Sequence, residues 1–211
     1  MTDAAPGAGA GAGVTRVTRV PDPAVVTAFG HLRADAAAVL GAWSAPDAEQ
    51  ERLRRAYLAQ IAAEPDAVAK AGPPAHLTAS CVLLDPSGGQ VLLTLHRKAN
   101  AWFQFGGHLE ATDATVWAAA RREAREESGI DSLEPLPRPV QLDRHLLVGS
   151  FGACREHLDV RYAAMAPADA RAHVSEESHD VRWWPVDALP ADTRAELTPL
   201  VSLARVALGL G

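Results

Sequence analysis

Three glutamates near the middle of the chain, Glu123, Glu126 and Glu127, stand at positions i, i+3 and i+4. On a helix, this spacing puts their carboxylates on one face within a single turn. Glu123 and Glu127 would repel each other there, and acidic groups near a helix C-terminus also oppose the helix dipole. A divalent cation such as Mg²⁺ prefers oxygen ligands and is commonly shared with substrate phosphates. The cluster therefore favours chemistry at a metal-bound phosphate.

A second interpretation of the same stretch is a solvated helix face. Taken alone, the run Arg-Arg-Glu-Ala-Arg-Glu-Glu at 121–127 is typical of an exposed helix surface. However, a glycine pair precedes it at 106–107, and Gly-Ile follows it at 129–130. Arg122 can also pair with Glu126 at i+4 and fix the geometry of the carboxylates. The whole arrangement favours a functional site over a surface helix.

The stretch 107–130 resembles the signature of the Nudix hydrolase family. That signature is a glycine, five residues, a glutamate, seven residues, and then Arg-Glu-apolar-any-Glu-Glu-any-Gly-apolar. Residues 122–130 supply the second half without a break. Asp113 stands in place of the first glutamate, and eight residues rather than seven separate it from Arg122, so the loop before the helix is one residue longer. The resemblance is strongest over about residues 76–190.

The resemblance implies a site for Mg²⁺ or Mn²⁺ that holds a diphosphate. The implied metal ligands are the backbone carbonyl of Gly106 and the carboxylates of Glu123, Glu126 and Glu127, and Arg122 is counted with the three glutamates as catalytic. Such a metal polarises a phosphoryl oxygen and helps to generate hydroxide from water. The general base is expected to be Glu127, or else Glu176 or Glu177 in the loop before the last strand.

Residues on both sides of the glycine pair are candidates for contacts with the substrate. His96 and Arg97, followed by Lys98, form the nearest cationic cluster, and we expect them to contact substrate phosphates, although a simple surface turn fits equally well. Gln104 precedes the glycines and is expected to flank the leaving group or a base. His108 follows them, and its expected role is to order the loop.

The two cysteines, Cys81 and Cys154, lie in plausible strand segments and are too few for a disulfide framework. Neither has metal-ligand spacing, and His76, His157 and His179 form no ligand spacing either. A reducing cytoplasm is the simplest compartment for such a chain. A diphosphate isomerase of the isoprenoid type, which shares the Nudix fold, would need a catalytic cysteine, and no motif supports either residue in that role.

The pattern of apolar residues predicts the elements that hold these side chains. Apolar steps of three and four predict a helix over 23–43 and a second one ending near residue 63, which Ser44 and Asp47 would open as a capping box. Strands are predicted over 77–84, 91–95, 140–148, 157–165 and 181–184, with helices over 114–128 and from Thr198 onward. The fold class is α/β (α+β): a mixed sheet between helices, preceded by a helical hairpin.

Length and composition limit what the chain can be. Its 211 residues, 48% hydrophobic and 22% charged, are enough for one folded domain. The expected organisation is a flexible tail over 1–20, a helical extension over 21–70 and a Nudix hydrolase domain over 71–211. No apolar run is long enough to cross a bilayer, and the net charge of −6 disfavours binding to DNA. We therefore expect neither a membrane nor DNA as a partner, and family analogy allows a homodimer.

The sequence thus predicts a metal-dependent hydrolase that cleaves a diphosphate linkage in a nucleoside diphosphate derivative or a related compound. Its partner would be a small diphosphate, and the identity of the attached group stays open. The alternative is a catalytically silent Nudix-fold module that binds a nucleotide as a sensor or scaffold. Silent members of the family usually lose glutamates of the signature, and this chain keeps all three, which favours the enzyme.

Overall fold

The computed structural model describes residues 19–147, 153–176 and 178–210. The expected flexible tail over 1–20 falls almost entirely outside these residues, as does Glu177, one candidate for the general base. The four helices of the described residues are α1 (Pro23–Ala42), α2 (Ala48–Ala63), α3 (Val116–Ser128) and α4 (Leu197–Leu208). The seven strands are β1 (Ala75–Leu84), β2 (Gln90–His96), β3 (Ala101–Phe103), β4 (Phe105–His108), β5 (Gln141–Leu146), β6 (Glu156–Met165) and β7 (Ser178–Pro185).

The strands form one mixed sheet with the order β3-β2-β1-β6-β5, in which β4 also pairs with β1 and β7 with β2. Only the pair β1 and β6 is parallel among these named strands. Alternate residues of β1 face opposite sides of the sheet. Leu77 and Leu83 pack in a hydrophobic cluster with α1, α2 and α3, whereas Val82 and Leu84 pack in a second cluster with α4. The predicted mixed sheet between helices is confirmed.

The two N-terminal helices pack on the α3 side of the sheet and share its hydrophobic cluster, to which Leu32, Leu40 and Tyr57 contribute buried side chains. Polar contacts also tie α1 to the start of α3. The carboxylate of Asp35 accepts a hydrogen bond of 2.7 Å from the backbone N–H of Val116, the first residue of α3. Helix α1 therefore binds a free N–H group at the positive end of α3.

Helix α2 covers the edge of the sheet at β5. The Gln50 side chain makes both hydrogen bonds to the backbone of Leu142, since its Nε2 donates to the carbonyl at 3.0 Å and its Oε1 accepts from the N–H at 2.6 Å. Gln50 itself is buried. These contacts satisfy backbone groups that an edge strand would otherwise expose.

The structure corrects two local expectations. The capping box at Ser44 is wrong, because Asp47 is itself the N-cap of α2 and accepts from the backbone N–H of Gln50. The glycine-containing segment between β2 and α3 was expected to be a loop, but seven of its residues form the short strands β3 and β4. Helix α3 ends where predicted, with Gly129 in the left-handed conformation at φ 71°. Among the described residues, no helix is long and apolar enough to cross a membrane.

Candidate active site

The glycine pair lies on β4, directly beside β1, with Gly106 opposite Ser80 and Gly107 opposite Ala79. A Cβ atom on Gly106 would come within 2.3 Å of the Ser80 Cβ, and Gly106 has a φ of 157°. A Cβ atom on Gly107 would come within 2.7 Å of the Glu123 Oε1. Gly106 needs to be glycine because a Cβ there would meet Ser80 and the backbone of β1, whereas a Cβ at Gly107 would push the end of the Glu123 side chain aside.

The three glutamates share one face of α3 but differ in their surroundings. Glu127 is 7% exposed, and its Oε2 accepts a hydrogen bond of 3.0 Å from the backbone N–H of Gly106. The Glu123 side chain is 15% exposed and lies against Gly107, whereas that of Glu126 is 61% exposed. We call Gly106, Glu123, Glu126 and Glu127 the carboxylate site. Among the described residues, the carboxylates of these glutamates are not all within 4.8 Å of one another. Separation of this kind is expected because like charges on one helix face repel each other.

Arg122 connects the helix to the loop before it. Its guanidinium makes two hydrogen bonds to Asp113, of 2.9 and 3.0 Å, and others to Glu123 at 3.0 Å and Glu126 at 3.2 Å. It also donates to the backbone carbonyl of His108 at 3.1 Å. The hydrogen bonds to Asp113 are the main cause that raises the pKa of Arg122 above its ordinary value. Asp113 reaches Arg122 although the loop is one residue longer than in the family signature.

A pocket opens beside the carboxylate site. It lies on the same face of the sheet as α4, which packs farther along the strands. It is lined by Thr78, Ser80, Thr94, His96, Ala99, Phe103, Gln104, Gly106, Gly107, Glu127, His145, Leu147, His157, Asp159 and Arg194. On this face, the first residues of β1 are polar, whereas the last two residues of the strand that point this way are apolar and pack with α4. The pocket therefore lies where the apolar layer under α4 ends.

The predicted substrate contacts divide into two groups. His96 lines the pocket, and its Nδ1 accepts from the N–H groups of Lys98 and Ala99. Gln104 also lines the pocket, and its Nε2 donates to Ser80 Oγ at 3.3 Å. Arg97 lies outside the lining and donates to the backbone carbonyl of Ser178 at 2.8 Å. The position of Arg97 thus gives no support to its predicted contact with substrate.

A buried polar network that was not predicted from the sequence forms the pocket floor. Asp159 on β6 is 3% exposed and accepts hydrogen bonds from Thr78 at 3.0 Å, Ser80 at 2.7 Å and Arg161 at 2.9 Å. The alternation of β6 put His157, Asp159 and Arg161 on one face, which was the available signal. A polar face on a strand in the middle of a sheet could have indicated a pocket, because buried polar groups need partners.

A second group of potential ligands lies at one end of the pocket. We call it the histidine–cysteine cluster, and it comprises His76, His108, Cys154 and His157. Burial, followed by the charge of His157, lowers the pKa of His108 to about 3. Burial and the charge of His145 lower the pKa of His157 to about 4. Cys154 precedes β6 and does not belong to a strand. The sequence offered one local signal, the two-residue separation of Cys154 and His157, which was not recognised as ligand spacing. The fold brings His76 and His108 to this pair.

Comparison with known proteins agrees with this architecture. Residues 74–203 match the model of the NUDIX domain. A NUDIX-family hydrolase from Clostridium perfringens is 23% identical with a TM-score of 0.48, and an Ap4A hydrolase from C. elegans is 19% identical with a TM-score of 0.51. Each match covers 63% of this chain and 97% of the other. No curated protein matches the chain.

A mixed sheet between helices, with a glycine pair beneath a glutamate-bearing helix, defines a Nudix-type hydrolase. Because the domain model matches more than half of its residues, the chain belongs to the Nudix family. It is a pyrophosphohydrolase that acts on phosphoanhydride bonds.

Proposed function

We propose that this protein hydrolyses the diphosphate linkage of a nucleoside diphosphate derivative and that it depends on Mg²⁺ or Mn²⁺. The observation that carries the proposal is the position of Glu127. Its nearly buried carboxylate lines the pocket and is oriented by the backbone N–H of Gly106. The carboxylate is thus held in a fixed orientation at the pocket, where its oxygen atoms can bind a cation that is shared with a diphosphate.

The donor set of the carboxylate site fits a hard divalent cation. It offers carboxylate oxygens from Glu123, Glu126 and Glu127 and the backbone carbonyl of Gly106, and oxygen is the donor that Mg²⁺ and Mn²⁺ prefer. The side chain of Glu126 is exposed to solvent, where a hydrated cation can reach it. When bound, the cation would polarise a phosphoryl oxygen and lower the pKa of an attacking water.

Other residues of the chain hold these donors in place. Arg122 fixes Glu123 and Glu126 through one guanidinium group, which Asp113 anchors in turn. The proposed general base is Glu127, since its carboxylate already lines the pocket. Glu176, the other described candidate, is exposed and lies outside the pocket lining.

The pocket wall supports a substrate with a flat, polar heterocycle. The Phe103 ring faces the Arg194 guanidinium at 5.5 Å, and His96 meets its edge at 6.3 Å. The polar floor at Ser80 and Asp159 offers hydroxyl and carboxylate groups to the edges of such a ring. Aromatic and guanidinium planes stack on nucleobases, and polar groups read their edges. These features support a nucleotide-derived diphosphate.

The test is a hydrolysis screen with Mg²⁺ over nucleoside diphosphate derivatives, in which added phosphatase releases phosphate from the products. We expect turnover of at least one compound and a loss of about a hundredfold or more in Glu127→Gln, because removal of a general base costs about 10²–10⁴-fold. Glu134→Gln, at an exposed residue that pairs with Arg125, serves as the control.

Two outcomes would contradict the proposal. Tight binding of one nucleotide without turnover across the screen would favour the sensor alternative. A loss confined to Glu176→Gln, with Glu127→Gln as active as the wild type, would move the base to the loop before β7.

A further inference from the structure

The histidine–cysteine cluster is assembled from three strands and a loop. His76 on β1 and His157 on β6 are register partners in the parallel pair, His108 ends β4, and Cys154 stands just before β6. One ligand atom from each residue lies within 4.8 Å of all the others. The Cys154 Sγ is 3.9 Å from the His108 Nε2.

Two ring nitrogens of the cluster have no hydrogen-bond partner. The Nε2 atoms of His76 and His157 are buried and unpaired within the described residues. The His76 Nδ1 lies 2.8 Å from the backbone carbonyl of Pro73. A carbonyl only accepts, so Nδ1 carries the proton and the buried Nε2 presents a lone pair. An unpaired buried acceptor is costly and points to an unseen partner.

We propose that His76, His108, Cys154 and His157 bind one Zn²⁺ ion. Three imidazoles and a thiolate form a donor set that suits zinc rather than magnesium. In a tetrahedral site with Zn–N of about 2.0–2.1 Å and Zn–S of about 2.3 Å, the donor atoms are about 3.3–3.6 Å apart. The Cys154 Sγ and the His108 Nε2 are 3.9 Å apart, and all donor atoms lie within 4.8 Å of one another, so their separations would contract by at most about 1.5 Å to complete the site.

The contact between His76 and Pro73 matches what zinc sites generally contain. A metal-binding histidine almost always donates its other ring N–H to a carbonyl or carboxylate, which fixes the tautomer and the ring orientation. The 2.8 Å contact provides this support at a residue that is 0% exposed. The cluster therefore has both a set of ligands and a preset orientation for one of them.

Four protein ligands leave no open position, which makes the site structural. It joins β1, β4 and β6 at one end of the pocket. His108 directly follows Gly107, so the ion would fix the end of the strand that carries the glycine pair. His157 also lines the pocket. The zinc ion would thus hold the pocket in shape while the carboxylate site performs the chemistry.

The first experiment is spectroscopic and needs no substrate. The full chain is stripped with a chelator, saturated with Mg²⁺ and titrated with Co²⁺, which reports tetrahedral thiolate ligation by absorption. We expect one equivalent to bind with a sulfur-to-cobalt charge-transfer band, Zn²⁺ to displace it, and either ion to raise the melting temperature. A folded wild-type protein that shows no such band would overturn the proposal.

The matched variants are Cys154→Ala and Cys81→Ala, since Cys81 is also buried but lies outside the cluster. Cys154→Ala should lose the charge-transfer band and bind Zn²⁺ at least tenfold more weakly, whereas Cys81→Ala should keep both. Circular dichroism of the stripped proteins shows whether each variant folds. If Cys154→Ala folds poorly, His157→Gln gives a second test, in which the band persists but the ligand-field bands change. Equal Zn²⁺ affinity of folded Cys154→Ala and wild type would refute the assignment.

Discussion

The two ends of the pocket present opposite donor chemistry. The carboxylate site offers oxygen atoms from one turn of α3 and from β4, and part of it is exposed to solvent. The histidine–cysteine cluster offers nitrogen and sulfur atoms, and two of its ring nitrogens are buried without a partner in the part of the chain that the structure describes. Hard oxygen donors with room for substrate suit catalysis, whereas soft donors that close around an ion suit a structural role.

One short strand contributes to both ends. In β4, Gly106 and Gly107 approach the glutamates, and the next residue, His108, belongs to the cluster. A single backbone segment can therefore contribute to two different ligand sets when its glycines let side chains of a neighbouring helix lie close to the backbone. Variants that change one end and leave the other intact can show whether the two ends act independently.

The largest effect is expected from Glu127→Gln. We predict a fall in kcat of about a hundredfold or more, with the cobalt charge-transfer band of the histidine–cysteine cluster unchanged. The amide oxygen can still accept from Gly106, so the fold should be retained. Steady-state kinetics and absorption spectra of the same preparation give both readouts. Loss of the band together with activity would show that the two ends form one site.

Gly107→Ala should act on the carboxylate site through geometry alone. The added Cβ would lie 2.7 Å from Glu123 Oε1 and displace that carboxylate. Misplacement of about 1 Å costs about a hundredfold in well-positioned sites, so we expect a fall in kcat/KM of about tenfold to a hundredfold. Gly30→Ala is the control, since a Cβ there meets nothing within 4 Å. Equal activity of the two variants would contradict the assigned contact.

Arg122→Lys should weaken the carboxylate site more moderately. Lysine cannot reproduce the two hydrogen bonds to Asp113 or the bridge to the glutamates. We expect a loss of about tenfold in kcat and of about 1–2 kcal/mol in the free energy of unfolding, from urea denaturation. Arg55→Lys, at a side chain that is 76% exposed, is the control and should change either quantity little. The prediction fails if the two lysine variants behave alike.

The smallest effect is expected from Asp35→Ala. It removes a carboxylate from the N-terminus of α3, which costs about 1 kcal/mol in the free energy of unfolding. Activity should fall less than fivefold, because the glutamates lie at the other end of the helix. Asp131→Ala, at an exposed position, is the control. Unchanged thermal stability would mean that the contact between Asp35 and Val116 contributes nothing.

Helix α3 could be predicted from the sequence because its determinants are local. The spacing of Glu123, Glu126 and Glu127 and the terminal Gly129 lie within one short segment, so helical periodicity alone puts the carboxylates on one face. The major strands were also close to their observed bounds, since apolar runs and turn residues mark them. The short strands β3 and β4 were missed, because β3 is only three residues long and the glycine pair conceals the strand character of β4.

The histidine–cysteine cluster could not be predicted because its determinants are not local. His76 and His157 meet only through the parallel register of β1 and β6, and that register depends on the packing of the whole sheet. Spacing along the chain detects ligand pairs within one short segment. Cys154 and His157, which are separated by two residues, form such a pair, but nothing local connects this pair to His76 or His108. The pocket floor at Asp159 was missed although the alternation of β6 was a local signal, because that alternation does not show which face of the strand lines a pocket.

The amide clamp between Gln50 and Leu142 also bears on how the protein behaves in concentrated solution. By making both hydrogen bonds to the backbone of β5, Gln50 takes the positions that an incoming strand from another molecule would use. Helix α2 therefore protects the sheet against edge-to-edge aggregation. A chain without this helix would present an unprotected β5 to its neighbours.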